Sequence, residues 1–137
     1  MSEELKAKAR RLMEEGLNKG VMAVFDELLA PNYAYHNPVY PNVTDRESYK
    51  RFVTAIRTGY PDVHFTIEDL IAGEGDTVVM RWTFHGTDKG GSPAFGGPPT
   101  GKHVASTGIT ISRFAHGKLV EEWTEADYLG LSKQLQG

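Results

Sequence analysis

The chain contains no cysteine among its 137 residues. Disulfides, thiolate nucleophiles and thiolate metal sites are excluded at once, and the composition is compatible with a reducing cytoplasm. No apolar run approaches the length of a membrane span. The first sixteen residues, MSEELKAKARRLMEEG, are charged throughout and lack the apolar core of a secretion signal. Excess positive charge is missing as well: net charge is −3, and the lysines and arginines are scattered. Neither nucleic acid nor an anionic membrane is therefore an expected partner. Metal-ligand spacing is absent, because no two histidines fall in a ligand pattern and no His-Glu-x-x-His occurs. A Gly-x-Ser-x-Gly elbow, the usual setting of a serine nucleophile, is absent too.

One stretch mimics a nucleotide site. Gly96 to Lys102 reads GGPPTGK, one residue short of a phosphate-binding loop. Such a loop needs free backbone N–H groups, a hydroxyl residue after the lysine and a helix behind it. Pro98 and Pro99 carry no N–H, and His103 takes the hydroxyl position. Val104 to Phe114 then reads as strand. The stretch is a loop that feeds a strand.

The length and an apolar share of 39% fit one globular domain, residues 1–137, with a core of its own. Apolar residues at helical spacing predict helices over Glu3–Asn18 and Val21–Leu29, the second closed by Pro31. Ala30 to Val43 reads as a loop rich in proline, asparagine and tyrosine around His36. Thr44 with Glu47 forms a capping-box signature for a third helix reaching Tyr60. From Pro61 the period changes to two. Strands are expected around Val63–Ile67, over Thr77–Thr87, over Lys102–Ala115 and over Lys118–Glu125. His116-Gly117 is the hairpin turn between the last two. A helix from Asp127 to Leu135 ends the chain. Three helices followed by four antiparallel strands make an α+β chain, whose curved antiparallel sheet is expected to wrap around the N-terminal helices and leave a cavity.

Alternation sorts the residues that could line that cavity. Val104, Ser106, Gly108, Thr110 and Ser112 share one strand face that is small and uncharged. It suits either a ligand or close packing, and Gly108 permits close approach. On the last strand Val120, Glu122, Thr124 and Ala126 face one way; Leu119, Glu121, Trp123 and Glu125 face the other. A carboxyl on an apolar concave face would serve as a general base, whereas Glu121 and Glu125 suggest a solvated acidic strand. His36 is an acid/base group in an aromatic segment, or a histidine tied to loop backbone. His85 lies opposite the Trp82 face, its direction open. His64, His103 and His116 look peripheral. Asp127 precedes a helix, as an N-cap does.

Taken together, Leu29-Ala30-Pro31-Asn32-Tyr33, His36-Asn37-Pro38, GGPPTGK at 96–102, Arg113 to Trp123, and Asp127-Tyr128-Leu129-Gly130-Leu131 with Gln134-Leu135 resemble the SnoaL-like polyketide cyclases. The resemblance spans nearly the whole chain. It implies the α+β cone barrel of nuclear transport factor and ketosteroid isomerase, a homodimer, no cofactor, and an apolar polyketide-like ligand. It also implies ring closure by intramolecular aldol condensation, with an acid/base aspartate at position 124 and an assisting histidine at position 110. Both positions are threonine here. The expected proton carriers are therefore His36, Glu122 or Asp127. Tyr33, Trp82, His85, Gly108, Thr110 and Thr124 are expected to hold the substrate. A related reaction, such as the cofactor-independent hydroxylation found among similar proteins, and simple ligand binding on the same scaffold are the alternatives.

Overall fold

The computed structural model describes residues 2 to 137. Helix α1 (Ser2–Arg11) runs into a π-helical segment at Leu12–Leu17, where Leu12, Met13, Gly16 and Leu17 all turn inward. The expected first helix is therefore present but widens in its second half. Helix α2 (Ala23–Leu28) is short. Strand β1 (Leu29–His36) follows directly and replaces the expected loop. Pro31 does not end the second helix; it sits inside this strand. It is tolerated because β1 lies at the sheet edge and its register breaks between Leu29 and Ala34.

Helix α3 (Arg46–Gly59) starts one residue later than the capping signature suggested. Asp45 is the N-cap, its carboxylate accepting from Ser48 N at 2.9 Å while Ser48 Oγ accepts from Asp45 N at 2.9 Å. The Thr44–Glu47 pairing fails because Asp45–Ser48 satisfies the same orphan donors. Tyr49 and Val53 are the side chains this helix buries deepest.

Strands β2 (His64–Ala72), β3 (Thr77–Thr87), β4 (His103–Ala115) and β5 (Lys118–Ala126) match the expected four. The sheet has five strands in the order β1-β5-β4-β3-β2. It is antiparallel except at β1, which runs parallel to β5. That pairing joins segments about ninety positions apart, which no local pattern signals. The β4–β5 turn holds His116 and Gly117 at φ of 53° and 77°, the left-handed pair of a tight hairpin. Just beyond it the register slips between Arg113 and Phe114, with Phe114 opposite Leu119. The extra residue inverts the alternation of β5 at its start, so Leu119 is buried rather than sharing the outer face of Glu121. Helix α4 (Tyr128–Gln136) packs back on β4, where Gln134 pairs with both backbone groups of Ala105.

The core fills the inside of this curve. Phe25, Leu28, Val53, Val78, Phe84, Val104 and Leu119 are all buried in it. The GGPPTGK segment belongs to the loop between β3 and β4 and holds no helix. It is stapled by buried Asp88, which accepts from Gly91 N at 3.0 Å and from the N and Oγ1 of Thr100, both at 2.9 Å. No sequence signal marked Asp88, because an aspartate after a strand ordinarily reads as a turn.

Candidate active site

The inner face of the sheet and the helices line a cavity that opens to solvent. Its wall is largely apolar, with Leu12, Met13, Phe65, Met80 and Trp82 among the lining, and it holds one carboxyl, Glu122. The alternation on β4 and β5 puts Thr110, Ser112, Glu122 and Thr124 on this side.

Glu122 owes its position to two strands. Tyr35 of β1 is its register partner across the parallel pair, and Ser112 is its partner across the hairpin. Tyr33, two residues before Tyr35, points the same way. Its hydroxyl donates to Glu122 Oε1 at 2.5 Å, and Ser112 Oγ donates to Oε2 at 3.3 Å. Both partners are neutral. Burial pushes the Glu122 carboxyl up to about 7, against the smaller downward pull of the Tyr33 and Ser112 hydrogen bonds. Glu122 is half-buried and lines the cavity. Tyr33 stays protonated, since burial first and the Glu122 charge second hold its phenol well above the usual range.

A second polar group lies beside it. Trp82 Nε1 donates to Thr110 Oγ1 at 3.0 Å, and the Thr110 and Thr124 hydroxyls share a 3.0 Å hydrogen bond. Tyr35, Tyr49 and Tyr128 add further phenols to the lining. Buried Asn37 positions two of these, donating to the Tyr35 hydroxyl at 3.2 Å and to that of Tyr128 at 3.0 Å. Gly108 sits opposite Trp82, and a β-carbon there would overlap the indole. The glycine makes room for the Trp82 ring and is not itself part of the cavity wall.

Besides Gly108, three more expected residues lie outside the cavity wall. His36 is one residue past Tyr35, so its side chain crosses to the outer face of the sheet. There its side chain is 46% exposed, stacks on Trp123 at 5.3 Å and bonds Glu121 at 2.8 Å. Asp127 caps α4, accepting from Gly130 N at 2.8 Å. His85 also faces outward, stacked against His103 at 6.1 Å. None of the three lines the cavity. Trp82, Thr110, Glu122 and Thr124 line the cavity together with Ser112, which shares the expected β4 face, while Tyr33 stands behind the wall as the partner of Glu122; Tyr35, Tyr49 and Asn37 complete the group and were not expected as site residues. The Tyr33/Tyr35 alternation was the available signal for them, hidden by the prolines around it.

The cavity thus combines an apolar wall, one carboxyl raised by burial and several neutral hydroxyls, an arrangement chemically suited to proton transfer. Comparison with known proteins places it. The family model for SnoaL-like polyketide cyclases matches residues 7–135, so the chain belongs to that family. A candidate polyketide cyclase from Acidithiobacillus ferrooxidans is 33% identical, with a TM-score of 0.85 over 99% of this chain and 96% of that one. IdmH of Streptomyces antibioticus, a candidate polyketide cyclase, is 28% identical, with a TM-score of 0.83 over 97% of this chain and 99% of that one. AclR of Streptomyces galilaeus, a candidate hydroxylase, shares the fold at 21% identity, with a TM-score of 0.85 over 99% of this chain and 87% of its own. No curated protein matches the chain.

Among the described residues, no cluster of three or more histidine, aspartate or glutamate side chains is placed to hold a metal. Nor, among the described residues, is any helix long and apolar enough to cross a membrane.

Proposed function

We propose that the chain catalyses proton transfer on a small, uncharged carbonyl compound of polyketide type, closing a ring by intramolecular aldol-type attack without a cofactor. The observation that carries this reading is the Glu122 carboxyl, enclosed in an apolar cavity with neutral partners only and raised to about 7. A group that titrates near neutral pH is populated in both forms and serves in both directions. The Glu122 carboxylate takes a proton from the carbon beside a carbonyl. The resulting enolate attacks a second carbonyl of the same molecule and forms the C–C bond. The alkoxide so produced takes the proton back from Glu122. Of the Thr110–Thr124 pair, the hydroxyl that does not donate within the pair is left to donate to a carbonyl oxygen, and Trp82 fixes Thr110 in place. Tyr33 holds Glu122. The exposed side chains of Ile109 and Ile111, on the outer face, support a homodimer formed through the sheet.

A non-catalytic ligand-binding role is favoured by one observation. Thr110 and Thr124, where the family resemblance places the acid/base pair, bond to each other. Turnover on a panel of diketone esters separates the two readings. The catalytic reading expects turnover that follows a group titrating near pH 7 and is lost in Glu122→Gln. Binding without turnover in both proteins sinks it.

A further inference from the structure

A second, smaller chamber adjoins the first and shares Ile56, Phe65, Trp82 and Tyr128 with it. The loop between β3 and β4 supplies Ser92 and Pro93 to its wall, and the end of α3 supplies Tyr60. The loop is anchored there: Lys89 N and Gly90 N both donate to Gly59 O, at 3.1 and 3.0 Å. Ser92 is thus held in place rather than free to swing.

Tyr60 and Ser92 are 2% and 5% exposed. Their hydroxyls are, among the described residues, the two buried side-chain polar atoms that have no hydrogen-bond partner in the protein. They lie near enough for Ser92 to temper the upward pull of burial on the Tyr60 phenol, yet without the geometry of a bond. Folded proteins pair nearly all such groups, because burying one alone is costly. Apart from each other, the polar groups beside them are engaged: Asp88 already accepts from Gly91 N and from Thr100. Ser106 Oγ already donates to the Asp127 carbonyl at 2.9 Å, and the Tyr60 ring meets the edge of Phe84 at 4.9 Å. Two neighbouring donors, buried and unpaired in one chamber, suit an acceptor that arrives from outside the chain.

We infer that Tyr60 and Ser92 form a subsite for an uncharged oxygen, a carbonyl or hydroxyl, at the far end of an elongated ligand whose reacting end lies at Glu122. The inference rests on the small-molecule reading above and extends it to the ligand's length and second polar group. No lysine, arginine or histidine lines either chamber, so a carboxylate or phosphate would find no countercharge. Ser112 marks the Glu122 end and Ser106 the other, six residues apart on β4. That is about 20 Å of strand, less the inward reach of the side chains. A single ring does not bridge it; an extended chain or several fused rings does.

The test uses two probes, dodecan-2-one and dodecane-2,11-dione, and the quenching of Trp82, which lies in the wall of both chambers. Trp123→Phe removes the other tryptophan from the signal. In the double variant Tyr60→Phe/Ser92→Ala, the dione's affinity relative to the monoketone's is expected to fall about 5-fold or more, the worth of one hydrogen bond. The monoketone's own affinity is expected to stay unchanged, and the melting temperature of the free protein to stay level or rise. An unchanged ratio of the two affinities overturns the subsite and leaves the cavity reading intact. So does a lower melting temperature, since it would mean that the hydroxyls bond within the protein. If neither ketone quenches Trp82 in the parent, the small-molecule reading itself fails, and the subsite with it.

Discussion

Glu121 and Glu122 are adjacent and chemically identical, yet they occupy opposite environments. Glu121 lies on the outer face of β5 between two basic partners, His36 and Arg113, each at 2.8 Å. Arg113 also covers the Trp123 ring at 4.9 Å. Glu122 lies on the inner face, where its partners are a phenol and an alcohol. Solvent and countercharge make an outer carboxylate routine, and such exposed pairs contribute little. The inner carboxyl has neither, so its charged form is disfavoured and it becomes chemically useful near neutral pH. One step along a strand separates a surface ion-pair cluster from a candidate proton carrier.

The sharpest way to break this contrast is to neutralise each acid in turn. Glu122→Gln is expected to lower turnover by about 10²- to 10⁴-fold, the usual worth of a general base. Glu121→Gln is expected to leave turnover nearly unchanged, as measured on the same substrate panel. Equal losses in the two variants would erase the distinction.

Stability against pH gives the next largest effect. The folded Glu122 carboxyl titrates at about 7, above its ordinary 4.5, so the folded state binds its proton more tightly than the unfolded state does. The stabilisation is fully present below pH 4.5 and is lost as pH rises through about 7. Its size is about 3 kcal/mol. Denaturant unfolding at pH 4.5 and pH 8 should show that loss for the parent, and a markedly flatter profile for Glu122→Gln.

Filling Gly108 tests the wall beside the acid. Gly108→Ala drives a β-carbon into the Trp82 indole and should cost about 1–3 kcal/mol by urea unfolding. It should also weaken binding in the cavity that Trp82 lines. Removing the Tyr33 hydroxyl is subtler. Its hydrogen bond lowers the Glu122 pKa, so Tyr33→Phe should move the activity limb to higher pH and cost about 1 kcal/mol. The smallest effect belongs to the outer face. His36→Ala should change stability by less than about 1 kcal/mol and leave the pH profile of turnover in place.

The chain's own pattern revealed much of this, and where it failed the cause is physical. Alternation along β3 and β4 sorted the Trp82 face and the Ser106–Ser112 face correctly, since the period of a strand survives without its neighbours. It also put Glu122 with Thr124 and against Glu121. It could not tell that Glu122 is enclosed, because Tyr33 supplies that enclosure from a strand 89 positions away. Strand β1 was itself hidden by Pro31 and Pro38, and His36 was misplaced with it: a loop histidine can point anywhere, a strand histidine next to Tyr35 cannot. The early inversion of β5, which buries Leu119, arises from a bulge with no mark in the residues around it. Asp127 was legible as a helix cap, and as a cap it is found.

The direct measurement is a pH titration of the glutamate side-chain carboxyls by carbon-13 NMR, in the parent and in Glu122→Gln. The account predicts one carboxyl with its midpoint near pH 7, absent from the variant. If every glutamate of the parent titrates below about pH 5, in the ordinary carboxylate range, Glu122 is not the proton carrier.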